Sequence, residues 1–335
     1  RDTLSHIKDT DYLGISTRIH AMENRMLTRE RMDRMIEARD DAEALKVLSE
    51  CGYAGGETIE VQNLEQVLAA ERASAFREIR TALPDTRIAD VFQIKYDYHN
   101  AKVLVKAQAL GKDGERLLLS GGRYDPKELL EGWRKEELRG LSDAFRTALK
   151  QAQETLAATK DPQLSDLVLD RACYEEMAQL AKDTGSKFLQ GYVSLSVDVA
   201  NLRTAVRVHR MDKGSDFLSQ VLLPGGSVSP RAIAAQRGEE LSSLFQTGPL
   251  AGAAELGSKL AQPGAGALTA FERECDNALT AYLEAARRVP FGEQAVIGYL
   301  YAKEAELTAV RTILAGRRAG LSGERIRERL RETYV

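Results

Sequence analysis

Hydrophobic residues recur along this chain at steps of three and four positions, the spacing that places side chains on one face of an α-helix. In the segment 64–84 they occupy positions 64, 67, 68, 76 and 79 before a proline at position 84. The segments 167–182 and 268–288 repeat the pattern, and the second of these ends just before Pro290. Alternating apolar and polar positions, which are typical of a half-buried β-strand, are almost absent. The pattern therefore predicts an all-α protein.

Length and composition are those of a folded protein with a sizeable core. The 335 residues are 43% hydrophobic and 29% charged, enough for two or three domains. The net charge of −3 gives no global electrostatic argument for nucleic acid. No run of 18 apolar residues predicts a membrane span, and no signal segment opens the chain. Because the chain begins at Arg1 rather than at a methionine, we expect that a few native residues precede it.

Cysteine and histidine spacing gives no sign of a metal site. Cys51, Cys173 and Cys275 are far apart and form no CxxC pair, which argues against zinc and a disulfide framework and favours a reducing compartment. The histidines at positions 6, 20, 99 and 209 lack the spacing that would place two imidazoles on one helix face. We therefore predict no metal site, no cofactor and no catalytic group.

An internal repeat with a period of roughly 100 residues organises the chain. Each of the three predicted helices carries an acid followed by arginine, and those arginines are Arg72, Arg171 and Arg273. A second element, DYHNAK at 97–102, DVANLR at 198–203 and EAELTAVR at 304–311, follows them. It supplies an acid, an amide and a base, and the motif residues are Asp97, Asn100, Asp198, Asn201, Glu306 and Arg311, with Ala309 in the third amide position.

A loop and a capped helix start follow the second element. They read LLLSGGRYDPKELL from Leu117 and VLLPGGSVSPRAIA from Val221, with Asp125 and Ser229 as predicted N-caps before proline. The third version, GLSGERIRERL from Gly320, is shortened, with Ser322 as its predicted cap. The glycine pairs at 121–122 and 225–226 lack a phosphate-binding pattern, and we interpret them as loop glycines.

The N-terminal part predicts a fourth, incomplete copy. In DYLGISTRIHAMENRML, Ser16 and Arg18 take the amide and base positions, Leu13 takes that of the acid, and a capped-type helix is predicted from Arg29 to Ser49. The chain would then start and end inside a repeat. We predict three similar helical lobes with pseudo-threefold symmetry, at 1–95 (including the incomplete copy), 96–197 and 198–335, with the C-terminal helices close to the N-terminus.

The motif acids need partners, because an unpaired buried charge costs several kcal/mol. On a helical wheel Asp198 and Asn201 are neighbours at the edge of the apolar face, whereas Arg203 lies on the opposite flank. The candidate cations are the arginines of the acid-arginine helices. We predict three ion pairs, Asp97 with Arg72, Asp198 with Arg171 and Glu306 with Arg273, which would make the motif structural rather than catalytic.

Other conspicuous residues have structural interpretations. Cys173 and Cys275 share one repeat position, which indicates a packing site. Trp133 is interpreted as a packing anchor, with a partner contact as the alternative. A basic C-terminal region is expected to be a solvated face, or else to contact an acidic partner or lipid headgroups; its arginines are Arg317, Arg318, Arg325, Arg327 and Arg329.

Several stretches together resemble a known family, the C subunits of the V/A-type (vacuolar/archaeal-type) rotary ATPases, which are homologues of the d subunit of the eukaryotic V-ATPase. They are YLGISTRIHAMENRML, DYHNAK, GYVSLSVDVANLRTAVR and the segment from PFGEQAVIGYLYAKEAELTAVR to the last residue. These stretches cover nearly the whole chain in the family's order. Ala309, where the family more often has asparagine, and Leu13 depart from the pattern.

The resemblance implies a mechanical role. It implies a funnel-shaped socket that is seated on the membrane rotor ring, receives the central shaft and passes torque between them for proton or sodium transport. The implied partners are the ring and the shaft subunits, without nucleic acid or small-molecule substrate, at the cytoplasmic face of the membrane as a peripheral subunit. The alternatives are an unrelated α-helical repeat scaffold or adaptor, and an all-α enzyme.

Overall fold

The fold is all-α, as the sequence predicts. The computed structural model describes residues 8–289 and 292–331, and within these ranges it contains helices and no β-strand. His6 and Pro290 lie outside the described residues.

The α-helices of the described ranges follow in chain order. They are α1 (Leu13–Glu23), α2 (Arg29–Glu37), α3 (Asp41–Glu50), α4 (Leu64–Ala82), α5 (Arg87–Leu110), α6 (Pro126–Arg134), α7 (Asp143–Thr159), α8 (Pro162–Thr184), α9 (Lys187–Arg210), α10 (Ser215–Val221), α11 (Pro230–Ala235), α12 (Ala251–Leu260), α13 (Thr269–Glu284), α14 (Glu293–Arg318) and α15 (Gly323–Arg329). Short 3₁₀ helices occupy Asp9–Tyr12, Tyr53–Gly56, Val61–Asn63, Glu115–Leu117, Gly238–Leu244 and Ala285–Arg288. The segments predicted at 64–84, 167–182 and 268–288 correspond to α4, α8 and α13.

The three predicted N-caps are confirmed. Asp125 Oδ1 accepts hydrogen bonds from the first turn of α6 at 3.0 and 3.1 Å. Ser229 Oγ accepts from Ala232 N at 3.2 Å, and Ser322 Oγ from Arg325 N at 3.3 Å. Each cap satisfies backbone N–H groups that a helix leaves without an internal partner.

The single helix predicted from Arg29 to Ser49 is wrong, because the chain breaks it into α2 and α3. Ala38 leaves the helical region with ψ 144°. Asp40 then caps the new helix, accepting a hydrogen bond from Glu43 N at 2.8 Å. An aspartate that can cap a first turn competes with helix continuation, which apolar periodicity alone does not reveal.

The described chain divides into two compact units. The first comprises the described parts of Arg1–Thr86, Leu202–Gly214 and Ala235–Val335. Its core joins side chains from the two ends of the chain, including Met35, Leu45 and Leu48 from α2 and α3 and Leu307 and Ile313 from α14. Helices from the N-terminal and C-terminal parts of the chain therefore share one core.

The second unit comprises Arg87–Asn201 and Ser215–Ala234. Its core lies among α5, α7 and α8, where Phe145, Leu149 and Leu169 are fully buried and Tyr98 meets the Phe145 ring edge-on. Trp133 packs against this core, in agreement with its interpretation as an anchor. The division into three lobes at 1–95, 96–197 and 198–335, and the funnel shape, stay predictions.

Two arginines of the basic C-terminal region bind α2 within the first unit; Arg317 is largely buried and Arg327 is partly exposed. Arg317 Nη1 donates to the carbonyl oxygens of Met35, Ile36 and Ala38 at 2.8 to 3.2 Å, where α2 ends. Arg327 donates to carboxylates of α2 at 2.9 and 2.6 Å. These bonds place cations where the dipole of α2 favours them and tie the two ends of the chain together.

The substitution Arg317→Ala tests this terminal contact. It leaves three α2 carbonyl groups without their charged donor, so we expect the free energy of unfolding to fall by about 2 kcal/mol. The exposed neighbour Arg318 provides the control, because Arg318→Ala should change stability by less than about 0.5 kcal/mol. Chemical denaturation measures both, and equal stability of the two variants would contradict the assignment.

Candidate functional site

The acid of the first motif copy is fully buried and binds the loop that precedes α6. Asp97, which has no exposed surface, accepts hydrogen bonds from Arg123 Nε at 2.7 Å and from the backbone N–H groups of Arg123 and Tyr124 at 3.3 Å each. Three residues later on α5, Asn100 binds both backbone groups of Leu119 at 2.8 Å. One turn of α5 thereby fixes the whole loop.

The second copy repeats this geometry. Asp198 accepts hydrogen bonds from the Ser227 hydroxyl and, at 3.3 Å, from the Val228 N–H group. Asn201 binds both backbone groups of Leu223 at 2.8 Å. Tyr124 and Val228 occupy the same place in their loops, directly before the N-caps Asp125 and Ser229.

The third copy is completed by the N-terminal part of the chain. Glu306 accepts hydrogen bonds from Leu27 N at 2.5 Å, from the Tyr53 hydroxyl and from Lys303 Nζ at 3.0 Å. Leu27 directly precedes Thr28, the N-cap of α2. The capped helix that the third acid binds is therefore α2, and not the helix capped by Ser322 that the sequence analysis assigned to this copy.

All three copies share one arrangement, which we call the carboxylate fastener: a buried motif acid that accepts the N–H group of the residue before a helix N-cap. The acids are Asp97, Asp198 and Glu306, and the donors are Tyr124, Val228 and Leu27. The fastener joins a long helix to the start of the capped helix of its own copy. The sequence predicted the three acids and the caps Asp125 and Ser229, but neither the cap Thr28 nor the bond between acid and cap segment.

The glycine pairs make the short aspartates fit. A Cβ atom on Gly122 would lie 2.2 Å from Asp97 Oδ1, and one on Gly226 would lie 2.2 Å from Asp198 Oδ1. The preceding glycines, Gly121 and Gly225, have φ of 106° and 103°. The third copy has no glycine pair before Leu27, because glutamate reaches one methylene further. The signal in the sequence was that glycine pairs accompany aspartate and are absent with glutamate.

The predicted ion pairs of the motif acids are wrong. Arg171 donates instead to the carbonyl oxygens of Gln220 and Leu222, and Arg273 donates to the carbonyl oxygen of Glu328 at 2.7 Å. Arg72 pairs with Glu304 at 3.3 Å, while the cation on Asp97 is Arg123. The acids are already satisfied by loop donors, so they do not need these arginines.

The base of each motif copy pairs with an acid on one of the acid-arginine helices. The prediction had instead paired the motif acid with the arginine of such a helix. Lys102 pairs with Asp170 at 2.6 Å, Arg203 pairs with Asp276, and Arg311 pairs with Glu65 at 2.8 Å. Each base stands five residues after its motif acid, on another side of the long helix, as the wheel indicated for Arg203. Since the pairs are partly exposed, each adds little stability and mainly sets orientation.

A buried network surrounds Asp97 in the second unit. Arg123 bridges Asp97 and Glu176, which also accepts hydrogen bonds from Tyr98 and Ser142. Burial raises the pKa of Asp97 from 3.8 to about 6, although the Arg123 guanidinium opposes this rise. Burial by itself would lower the pKa of Arg123. The bonds to Glu176 and Asp97 outweigh this effect and raise the pKa above its ordinary value, so Arg123 stays charged.

A second buried network lies around Glu306 in the first unit. Lys303 Nζ bridges Glu71 at 2.7 Å and Glu306 at 3.0 Å, and it stands over the Tyr53 ring at 4.8 Å from the centroid. Burial opposes the charge of Lys303, but the two carboxylates prevail and raise its pKa. Burial and Glu306 together raise the pKa of Tyr53, which therefore remains a hydrogen-bond donor.

The described residues offer no metal-binding group and no reactive thiol. Within 8–289 and 292–331, no cluster of three histidine, cysteine, aspartate or glutamate side chains could hold a metal ion. All three cysteines are buried and free, and burial raises the pKa of each, that of Cys275 to about 12. None of the described helices combines the length and the apolar character needed to cross a bilayer.

Comparison with known proteins identifies the family. The model of the ATP synthase (C/AC39) subunit family matches residues 15–329. This chain belongs to that family. The matched range contains the three carboxylate fasteners and their loops. The interpretation as an unrelated scaffold is thereby excluded.

Curated relatives carry matching names. The C subunit of the V-type sodium ATPase of Enterococcus hirae is 24% identical over 82% of this chain and 83% of its own length. The C subunit of the V-type ATP synthase of Deinococcus radiodurans is 25% identical over 95% of this chain and 90% of its own length. The C subunit of the A-type ATP synthase of Thermococcus kodakarensis is 24% identical over 96% of this chain and 90% of its own length. This member of the C/AC39 family is thus similar to its relatives over most of both chains.

The fastener of this C/AC39 family member predicts a strong effect for Gly226→Ala. The new methyl group would overlap the Asp198 carboxylate, so we expect a loss of about 3 kcal/mol in the free energy of unfolding. The second substitution Asp198→Ala removes the overlapped atom, so the double variant should lose less than the sum of the single variants.

The control is Gly252→Ala in α12, where a Cβ atom meets nothing within 4 Å. It should change stability by less than about 1 kcal/mol. Urea denaturation of the four variants measures these effects, and strict additivity of the double variant would count against the close approach of Gly226 to Asp198.

The raised pKa of Asp97 predicts a pH-dependent stability. Between about pH 4 and about pH 6 the unfolded carboxyl is ionised while the folded one keeps its proton, so this group stabilises the fold at low pH and loses the effect as the pH rises. The wild type should therefore lose stability across this window relative to Asp97→Asn. Melting temperatures of both proteins at several pH values measure the difference. The exposed Asp113→Asn is the control and should follow the wild type, and parallel curves for Asp97→Asn would refute the shift.

Proposed function

We propose that the chain is a non-catalytic central-stalk subunit of a V/A-type rotary ATPase or ATP synthase. In this proposal it is seated on the membrane rotor ring and couples the ring to the rotating central shaft, so that torque passes between ATP chemistry and proton or sodium transport. The single observation that carries the proposal is the family match over residues 15–329, together with relatives that are named as the C subunits of such ATPases and ATP synthases.

The geometry supports a load-bearing role. The long helices α5, α9 and α14 have 24, 24 and 26 residues, which corresponds to about 36 to 39 Å each. Each carries a buried carboxylate fastener on one side and a motif base that binds a neighbouring helix on another. A long helix that is bound on two sides resists bending and rotation, because either motion breaks buried polar bonds.

The chemistry of the buried charges supports a structural rather than a catalytic role. In the second unit, Asp97 and Glu176 share one arginine, and in the first unit Glu71 and Glu306 share Lys303. These groups bind one another and helix starts. They would have to give up these bonds in order to act on a substrate. We therefore propose that the chain acts through its partners, the ring and the shaft, as a peripheral subunit at the cytoplasmic face of the membrane.

Removal of the chain from the complex tests the proposal. Without this chain, we expect the catalytic head to keep hydrolysing ATP while ATP-driven ion uptake into membrane vesicles is lost. Addition of the wild-type chain should restore uptake, whereas the fastener variant Gly226→Ala should restore it less well. The measurements are phosphate release and ion uptake on the same preparation. Undiminished uptake in the absence of the chain would refute the coupling role.

A further inference from the structure

Two loops of the second unit have the same anchor but different surroundings. The segments 117–126 and 221–230 occupy equivalent positions in the repeat. Asn100 binds both backbone groups of Leu119, and Asn201 binds both backbone groups of Leu223, with four distances of 2.8 Å. The backbone of the two loops is therefore held in the same way, and a difference in exposure reflects what packs against each loop.

In the second copy, a helix covers the loop. Arg171 of α8 donates to the carbonyl oxygens of Gln220 and Leu222. Leu223, the counterpart of Leu119, is 7% exposed, and Val221, the counterpart of Leu117, is half-buried. An arginine-bearing helix is thus the observed cover of this face of the repeat.

In the first copy, the equivalent face is open. Leu117 is 66% exposed and Leu119 is 38% exposed. The carbonyl groups of Arg116 and Leu118, which correspond to those that Arg171 binds, accept no hydrogen bond from any residue in 8–289 or 292–331. We call Leu117, Leu119 and these two carbonyl groups the open loop face.

The open loop face is rigid without a partner. Leu118 packs towards the core of the second unit, and the extended backbone at this residue places Leu117 and Leu119 on the other side. His99 Nε2 contacts the Leu117 carbonyl oxygen at 3.1 Å, and Asn100 holds Leu119. A partner would therefore bind a loop whose backbone is already held, which lowers the entropic cost of binding.

We propose that the open loop face binds an amphipathic α-helix of another subunit of the rotary complex. The helix would place an arginine on the carbonyl groups of Arg116 and Leu118, as Arg171 does in the second copy, and apolar side chains on Leu117 and Leu119. Arg116 is exposed in the same loop, so an acidic residue next to the partner's arginine would complement it.

The polar groups of the face discriminate among occupants. A lipid chain has no donor for the two carbonyl groups, which favours a partner that carries an N–H donor. A second copy of this chain would need an arginine from an acid-arginine helix, yet Arg171 and Arg273 already bind carbonyl groups of their own chain. The binding surface goes beyond the coupling role and does not depend on it, because any subunit of the complex could supply the helix.

Paired substitutions test the open loop face in the intact complex. Leu117→Glu places a charge in the apolar contact, and we expect it to weaken retention of the chain in the detergent-solubilised complex about tenfold. Leu110→Glu is the matched control, since Leu110 belongs to the same unit and is 69% exposed but lies outside the face. It should be retained as the wild type is. Circular dichroism and thermal melting confirm that both variants fold. Equal retention of the two variants would overturn the proposal.

Cross-linking identifies the occupant. The purified Leu117→Cys chain can be labelled with a benzophenone maleimide before it is added to a complex that lacks the chain, because its three native cysteines are buried. We expect a cross-link to an arginine-containing helical peptide of another subunit. A cross-link to lipid, a cross-link within this chain, or none at all would overturn the proposal. If the complex needs this chain for coupling but gives one of these cross-linking results, the proposal for this surface fails while the proposed function stands.

Discussion

The structure depends on the need to satisfy one buried carboxylate on each long helix. Asp97, Asp198 and Glu306 are 0%, 4% and 3% exposed, and an ionised carboxylate without partners at such sites would cost several kcal/mol. Each acid offsets this cost by binding the N–H groups that precede a helix cap, where the backbone has donors without helical partners. The same bond therefore satisfies the acid and positions the next helix. Gly122 and Gly226 follow from it, because any larger residue would occupy the space of the aspartate. Gly121 and Gly225 before them have a positive φ, which glycine adopts without strain.

The three copies keep the backbone donor and vary everything else. The second partner of the acid is a guanidinium in the first copy, a hydroxyl in the second, and an ammonium with a phenol in the third. The cation is therefore replaceable, and the requirement that remains is geometric: a carboxylate must meet the residue before a cap. In the Asp97 copy, where burial is complete, even the adjacent guanidinium does not prevent the raised pKa of the acid.

Sequence patterns predicted the all-α fold, the helices α4, α8 and α13 and the caps Asp125, Ser229 and Ser322, because these depend on spacing along the chain. They failed for the partners of the motif acids. Periodicity tells which side of a helix Asp198 occupies, but not that a loop about 30 residues later already saturates its oxygen atoms. The nearest candidate cation, Arg171, was a reasonable choice on charge alone, yet arginine also binds carbonyl groups well, and it does so here. The third fastener was beyond local patterns, because Glu306 and Leu27 lie at opposite ends of the chain.

That last bond has a mechanical consequence. Chain ends are usually the first parts of a domain to fray. In the first unit the N-terminal α2 is held at its start by Glu306, at its end by Arg317 and along its side by Arg327. All three side chains come from the C-terminal helices α14 and α15, so either terminus can detach only if buried polar bonds of the other break as well. The arrangement of acid and capped helix is thus completed by residues that are far apart in the sequence.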